Sequence, residues 1–204
     1  MEKNTKVILI FFIVILILIG FMIYISMPKN NNPGIIQNIG NGTNPPKGSP
    51  DSRIVIIEFS DFQCPFCKAG LPIIKEILEK YNVTLYYRNF PLPIHENSVI
   101  ASEASECANE QDKFWEYHNV LFNNQDKLDK ENLKKYALDI GLNSEQFNNC
   151  VDSRKYKDVV QKDLNEGKSL GVEGTPTFFI NGKMVLGADK NKIEKIIREE
   201  IGLL

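Results

Sequence analysis

Charge of one sign and histidine are what this chain has least of. Lysine and arginine number 24 against 26 aspartate and glutamate, a net charge of −2. That balance leaves no electrostatic footprint for a nucleic-acid partner. His95 and His118 are the only histidines and stand far apart. Neither has a carboxylate or cysteine at ligand spacing, so no metal site is expected, and capping or core packing is the expected job of each. Four cysteines are too few for a small disulfide scaffold but enough for two pairs. What is there reads as globular: 43% hydrophobic and 25% charged residues over 204 positions, one ordinary domain plus accessories.

One long apolar run exists. VILIFFIVILILIGFMIYISM, from Val7 to Met27, carries no charge. At 1.5 Å per residue it covers about 30 Å, the thickness of a bilayer's hydrocarbon. Lys3 and Lys6 precede it, and Lys29 is the only cation for some distance after it. The expectation is a single-pass anchor in residues 1–27, with a cytoplasmic N-terminus and an extracytoplasmic body. A cleaved signal peptide is the rival, although Tyr24 stands where a small residue is wanted. Residues 28–52, rich in Asn, Gly and Pro, read as a flexible linker.

RIVIIEFS, residues 53–60, is β-branched and apolar on both faces, which suits a central strand. DFQCPFC follows, then Leu71, Ile74, Ile77, Leu78 and Tyr81 at helical spacing. Cys64 therefore stands where a strand hands over to a helix. Pro65 suits the first helical position, and Pro72 is expected to kink the helix. A thiolate at a helix N-terminus faces unpaired N–H groups, which lowers its pKa. Cys64 is the candidate nucleophile and Cys67, one turn further in, its resolving partner. Three chemistries fit the pair: a redox couple, half of a zinc site, or a passive bridge. Zinc lacks a second ligand pair at close spacing, and a bridge so short constrains little of the unfolded chain.

VTLYYRNFPL, residues 83–92, reads as a second strand. VEGTPTFFINGKMVLG, residues 172–187, holds two more around Asn181-Gly182, a hairpin signal. Ile193, Ile196, Ile197 and Ile201 mark a final amphipathic helix. The order describes an α/β protein whose mixed sheet carries helices on its faces, interrupted by a helical insertion at about 96–169.

IIEFSDFQCPFC followed by GVEGTPTFFINGK resembles the thioredoxin superfamily. With its helical insertion, and phrases such as NFPLPIHENSVIASEASECA and KFWEYHNVLF, the chain is most similar to the DsbA-like thiol:disulfide oxidoreductases. The resemblance covers residues 53–203. It implies a thioredoxin fold and a Cys64–Cys67 redox pair. It makes Pro176 a cis-proline beside the sulfurs, bringing the backbone of Thr175 to them as a docking edge for an extended substrate. Pro65 and Phe66 complete that substrate-facing set. Glu58, the one charge within IVIIEF, becomes a buried acid that moves a proton to or from Cys67. Its alternative is a carboxylate at a strand edge, and Asp61 reads as a loop or cap residue. Phe66 is a departure. Some members carry a histidine there, and without it Cys64 is expected to be a less strongly oxidising partner.

The resemblance also implies exported polypeptides as substrates, no cofactor, and re-oxidation by a quinone-linked membrane partner resembling DsbB or vitamin K epoxide reductase. Cys107 and Cys150 lie in the insertion. In an oxidising compartment they suggest a structural bridge, with two buried free thiols or a second redox couple as alternatives. Phe114, Trp115, Tyr117, Val120, Leu121 and Phe122 are expected to form mainly the insertion's own core.

Overall fold

The computed structural model describes residues 15–19, 22 and 42–203. The chain divides into two units, Met1–Asn32 and Pro33–Leu204. The expected anchor lies outside the described residues except at positions 15–19 and 22, which are helical. Among the described residues no helix is long and apolar enough to cross a membrane.

Strands β1 (Lys47–Gly48), β2 (Val55–Ser60), β3 (Thr84–Asn89), β4 (Thr177–Ile180) and β5 (Lys183–Leu186) form one sheet. Its order is β1-β3-β2-β4-β5. β2 and β3 run parallel, and the other neighbours are antiparallel. Helix α1 (Pro65–Lys80) makes the crossover between the parallel pair. β2 is paired on both edges and buried from Ile56 onward, which accounts for a run without polar alternation. Asn181 and Gly182 turn β4 into β5 with φ of 46° and 84°, the two positive values that a two-residue I′ turn demands.

Between β3 and β4 lie α2 (Ser98–Asn109), α3 (Phe114–Asn123), α4 (Lys130–Asp139), α5 (Ser144–Asp152) and α6 (Lys157–Ser169), and α7 (Lys190–Glu200) closes the chain. Asp129, Asn143 and Asp189 cap α4, α5 and α7 by accepting the N–H two positions inside each helix. α1 continues through Pro72 to Lys80.

The period of β2 sorts the core. Ile54 and Ile56 pack with Ile74 and Ile77 of α1 and Ile193 and Ile197 of α7. Ile57 and Phe59 point the other way and pack with Phe90, Val172 and Phe179. α6 crosses that second face at Gly167, where a Cβ would meet Phe90 at 2.7 Å and Phe59 at 3.0 Å. Arg88 of β3, 2% exposed, pins the same helix through Asp163 (Nε···Oδ1 2.9 Å) and Glu166. Phe114, Tyr117, Leu121 and Phe122 join Phe62, Tyr87 and the insertion's helices in a third cluster.

The linker expectation fails over its last part. Residues 28–41 lie outside the described residues, but residues 43–49 pack on the body. Thr43 donates to Glu106 (2.8 Å), Asn44 Nδ2 to the Tyr87 carbonyl (3.4 Å), and Trp115 Nε1 to the Pro45 carbonyl (3.0 Å). Lys47 and Gly48 then cover the outer edge of β3. Polar composition misled because Thr43, the Asn44 amide nitrogen and the Pro45 carbonyl find specific partners, which turns a coil sequence into a strap.

Candidate active site

At the end of β2 the chain is held by Asp61, which is fully buried. Its Oδ1 accepts the Gln63 N–H at 2.8 Å and its carbonyl accepts the Cys64 N–H at 3.0 Å. Oδ2 accepts the Leu92 N–H at 2.7 Å and meets His95 Nδ1 at 2.8 Å. Asp61 is thus the loop residue expected of it, and His95 one of its ties. Cys64 is the N-cap of α1, with extended φ and ψ of −75° and 119°, and Pro65 begins the helix. No side chain caps this end, so the first-turn amides are left facing the sulfur.

Cys64 and Cys67 are free thiols, come within 3.6 Å of each other, and are 3% and 0% exposed. A hydrogen bond from Cys67, opposed by burial and aided by Thr175 and the amides of Phe66 and Cys67, holds the Cys64 thiol well below its ordinary range. Burial, and then Cys64 itself, push the Cys67 thiol up. The two shifts run in opposite directions, so Cys64 is the sulfur that ionises first and Cys67 the one that holds its proton longer, the division of labour that thiol–disulfide exchange requires.

The Thr175–Pro176 peptide is cis. Cys64 Sγ lies 3.3 Å from the Thr175 carbonyl, to which it donates while it is a thiol. The Thr175 hydroxyl is buried without an oxygen or nitrogen partner and lies beside both sulfurs. Gly70 makes room for this loop, because a Cβ there would stand 3.0 Å from Ala188 and 3.9 Å from Pro176. Phe66 is 72% exposed. It lines a groove of about 390 Å³ with Ala69, Ile73, Thr175 and Leu186.

On β2, two residues before Ser60, stands Glu58, 3% exposed. It shares the face of Ile54 and Ile56, so it points under α1, and burial raises its pKa to about 7. The Ser60 hydroxyl, two residues on along the same face, neighbours both Glu58 and Cys67. Glu58 also forms part of the wall of a cavity of about 580 Å³ that Lys47, Leu71, Trp115 and His118 share. His118 is a core residue: it is 3% exposed, ringed by Phe62, Tyr87, Phe114, Trp115 and Phe122, and driven by burial to a pKa of about 3.

Cys107 and Cys150 are joined by a disulfide, 43 residues apart in sequence, between α2 and α5. Among the described residues, no three His, Cys, Asp or Glu side chains gather as metal ligands. The sequence reading missed Ser60, the Thr175 hydroxyl and Gln125. Ser60 had a signal, since a strand places residues 58 and 60 on one side. Gln125, from the loop after α3, had none: its Nε2 donates to the carbonyls of Phe62 (2.7 Å) and Cys64 (2.9 Å) and ties the insertion to the thiol loop.

A parallel β2–α1–β3 unit, an antiparallel hairpin and a thiol pair under a cis-proline define a class. The chain belongs to the thioredoxin family, whose model, described as "Thioredoxin", matches residues 41–199. Its fold is that of the DsbA-like proteins within the superfamily. It is similar to BdbD from Bacillus subtilis, with 26% identity and a TM-score of 0.70 over 78% of this chain and 94% of that one. The thiol-disulfide exchange protein alpha-DsbA2 from Wolbachia pipientis shares the fold at 22% identity and TM-score 0.72, over 85% and 99%. A thioredoxin-like oxidoreductase from Silicibacter pomeroyi DSS-3 shares it at 23% and 0.73, over 80% and 95%. Curated relatives include a Na(+)/H(+) antiporter NhaA 1 of a Mycobacterium species (strain KMS), 34% identical over 78% of this chain. The match spans only 27% of that protein's own length.

Proposed function

We propose that this protein is a membrane-anchored, extracytoplasmic oxidant of cysteine pairs in exported polypeptides. A substrate thiolate attacks Cys64 Sγ in the oxidised Cys64–Cys67 pair. The S–S bond breaks, and Cys67 leaves as a thiolate that takes a proton from Glu58. A second substrate thiolate then attacks the substrate sulfur of the mixed disulfide and expels the Cys64 thiolate. The substrate loses two electrons and the pair gains them. Re-oxidation passes them to a quinone-linked membrane partner resembling DsbB or vitamin K epoxide reductase.

The observation that carries this reading is the Cys64 sulfur at an uncapped helix N-terminus, 3.3 Å from the carbonyl before Pro176. Stabilising the thiolate makes Cys64 a good leaving group and the disulfide an oxidant. Phe66 offers that thiolate its backbone amide but no side-chain hydrogen bond, which moderates the potential. Equilibration of the pair with glutathione tests the direction. A potential between about −120 and −200 mV supports oxidation of substrates; one near about −270 mV, the value of a dedicated reductant, overturns it in favour of a reductase on the same site.

A further inference from the structure

The exposed apolar side chains of residues 42–203 fall into two groups. Phe66 and Leu186 stand beside Thr175 and Val99 lines a second groove, while Ile94, Leu138, Met184, Ile201 and Leu203 line neither. Phe66 and Leu186 line the groove already described, on one side of the cis-proline loop. The second groove, of about 500 Å³, takes part of its lining from Val172 and Glu173, just before Gly174 and Thr175 in the chain. Leu92, Val99, Leu164 and Val172 line it, with Lys168 and Glu173 among its polar residues.

Both walls of this second groove are continuous with the chain that holds the reactive thiol. Leu92 N–H is fixed by the same Asp61 carboxylate whose backbone carbonyl takes the Cys64 N–H. Val172 and Glu173 run directly into Gly174 and Thr175, which line the first groove. Consecutive residues of one loop thus pass from one groove to the other, with the Cys64 sulfur against Thr175 between them.

We propose that the second groove receives an apolar side chain of the substrate polypeptide, two to four residues from its reacting cysteine, so that an extended segment is gripped on both sides of Cys64. The inference rests on the thiol-exchange reading above. A substrate sulfur has to reach Cys64, so the backbone flanking it lies over the cis-proline loop. A fully extended chain advances about 3.3 Å per residue, so the three steps from Val172 to Thr175, which bend at Gly174, span at most about 10 Å. Two to four substrate residues cover that distance. Side chains alternate along an extended segment, so one of them faces the groove. Lys168 and Glu173 carry opposite charges, which favours an apolar occupant over a strongly acidic or basic one. Substrates of this chemistry are unfolded chains, whose apolar residues are still exposed.

Nine-residue peptides with one central cysteine and a single leucine scanned through a serine-glycine background provide the test. The rate at which each attacks the oxidised full-length protein is divided by the same protein's rate with glutathione. Leucine at particular positions on each side of the cysteine is expected to raise the ratio about tenfold. Val99→Glu, which puts a charge into the groove, and Val99→Trp, which fills it, should each abolish the rise on one side and leave it on the other. A scan that both variants leave unchanged, or lower equally on both sides, overturns the proposal. So does a Val99→Glu change that alters only the oligomeric state, since the groove then belongs to a second copy. Failure of the wild type to react with any peptide or with glutathione overturns instead the thiol-exchange reading on which this one stands.

Discussion

Two cysteine pairs sit in this domain under opposite conditions. Cys64 and Cys67 are three positions apart at the start of α1, held as free thiols. Cys107 and Cys150 are 43 apart, on α2 and α5, and bonded. Burial is nearly the same for all four, so burial does not separate them. Their neighbours do. Cys64 faces the first-turn amides of a helix and the Thr175 side chain, and Cys67 has the Ser60 hydroxyl beside it, itself next to Glu58. These groups favour a thiolate and can move its proton. Cys107 and Cys150 lie in the apolar cluster of the insertion, among Tyr117, Leu133 and Phe147. Cys64 and Cys67 border the same cluster, so what sets the second pair apart is its place within two helices and the long loop its bridge closes.

Breaking each pair should therefore damage different properties. Cys64→Ser is expected to reduce oxidation of a reduced, unfolded protein to background. Cys67→Ser should instead accumulate mixed disulfides, visible as a mass increase on the protein. A Cys64→Ser protein with full activity would remove the basis for the comparison. Replacing Cys107 and Cys150 together by alanine should cost up to about 4 kcal/mol of stability on the chain-entropy model for a loop of this size. That is about three decades in the folding constant, read from denaturant midpoints. Activity per folded molecule should survive. A large loss of exchange rate at equal folded fraction would make the second pair part of the redox site.

Glu58 sharpens the comparison further. Its folded pKa of about 7 lies above the ordinary carboxyl value of 4.5. Between those values the native state binds a proton the unfolded chain does not, so stability falls as pH rises through the window and stays lower above it. Glu58→Gln removes that cost and should stabilise the protein at pH 8 by up to about 3 kcal/mol. The same change should slow attack of Cys67 on a mixed disulfide about 10²-fold. In the wild type that step should accelerate with pH around a midpoint near 7 as Glu58 becomes a base, and the midpoint should vanish in Glu58→Gln. A variant that is destabilised and retains the wild-type pH profile would assign Glu58 a structural role only.

The central strand, the handover at Cys64, the Asn181-Gly182 hairpin and the final helix were legible because each rests on a local signal: apolar runs, periodicity and a turn that needs positive φ. The cis-proline loop was legible only through resemblance, since X-Pro in sequence says little about its isomer. The strap at residues 43–49 was not legible. Its partners, Glu106, Tyr87 and Trp115, lie 43 to 70 residues away, and composition carries no trace of such pairings. The same holds for Gln125, whose contacts with Phe62 and Cys64 join elements that only the fold brings together.

Ser60 offers the smallest change and the finest test. It lies on β2 on the same side as Glu58, and its hydroxyl neighbours both that carboxyl and the Cys67 thiol. The hydroxyl is fully buried, makes no hydrogen bond of normal geometry, and also neighbours the Tyr87 phenol. A group with both a proton to give and lone pairs to receive one can carry hydrogen between the two without moving. Ser60→Ala removes that link and leaves both ends in place. Resolution by Cys67 should slow about tenfold, less than for loss of Glu58. The Cys64 thiolate absorbance at 240 nm should titrate as before, because Ser60 is not among the groups that lower it. Ser60→Thr, which keeps the hydroxyl, should restore most of the rate. An alanine variant that resolves at the wild-type rate would mean that Glu58 reaches Cys67 directly.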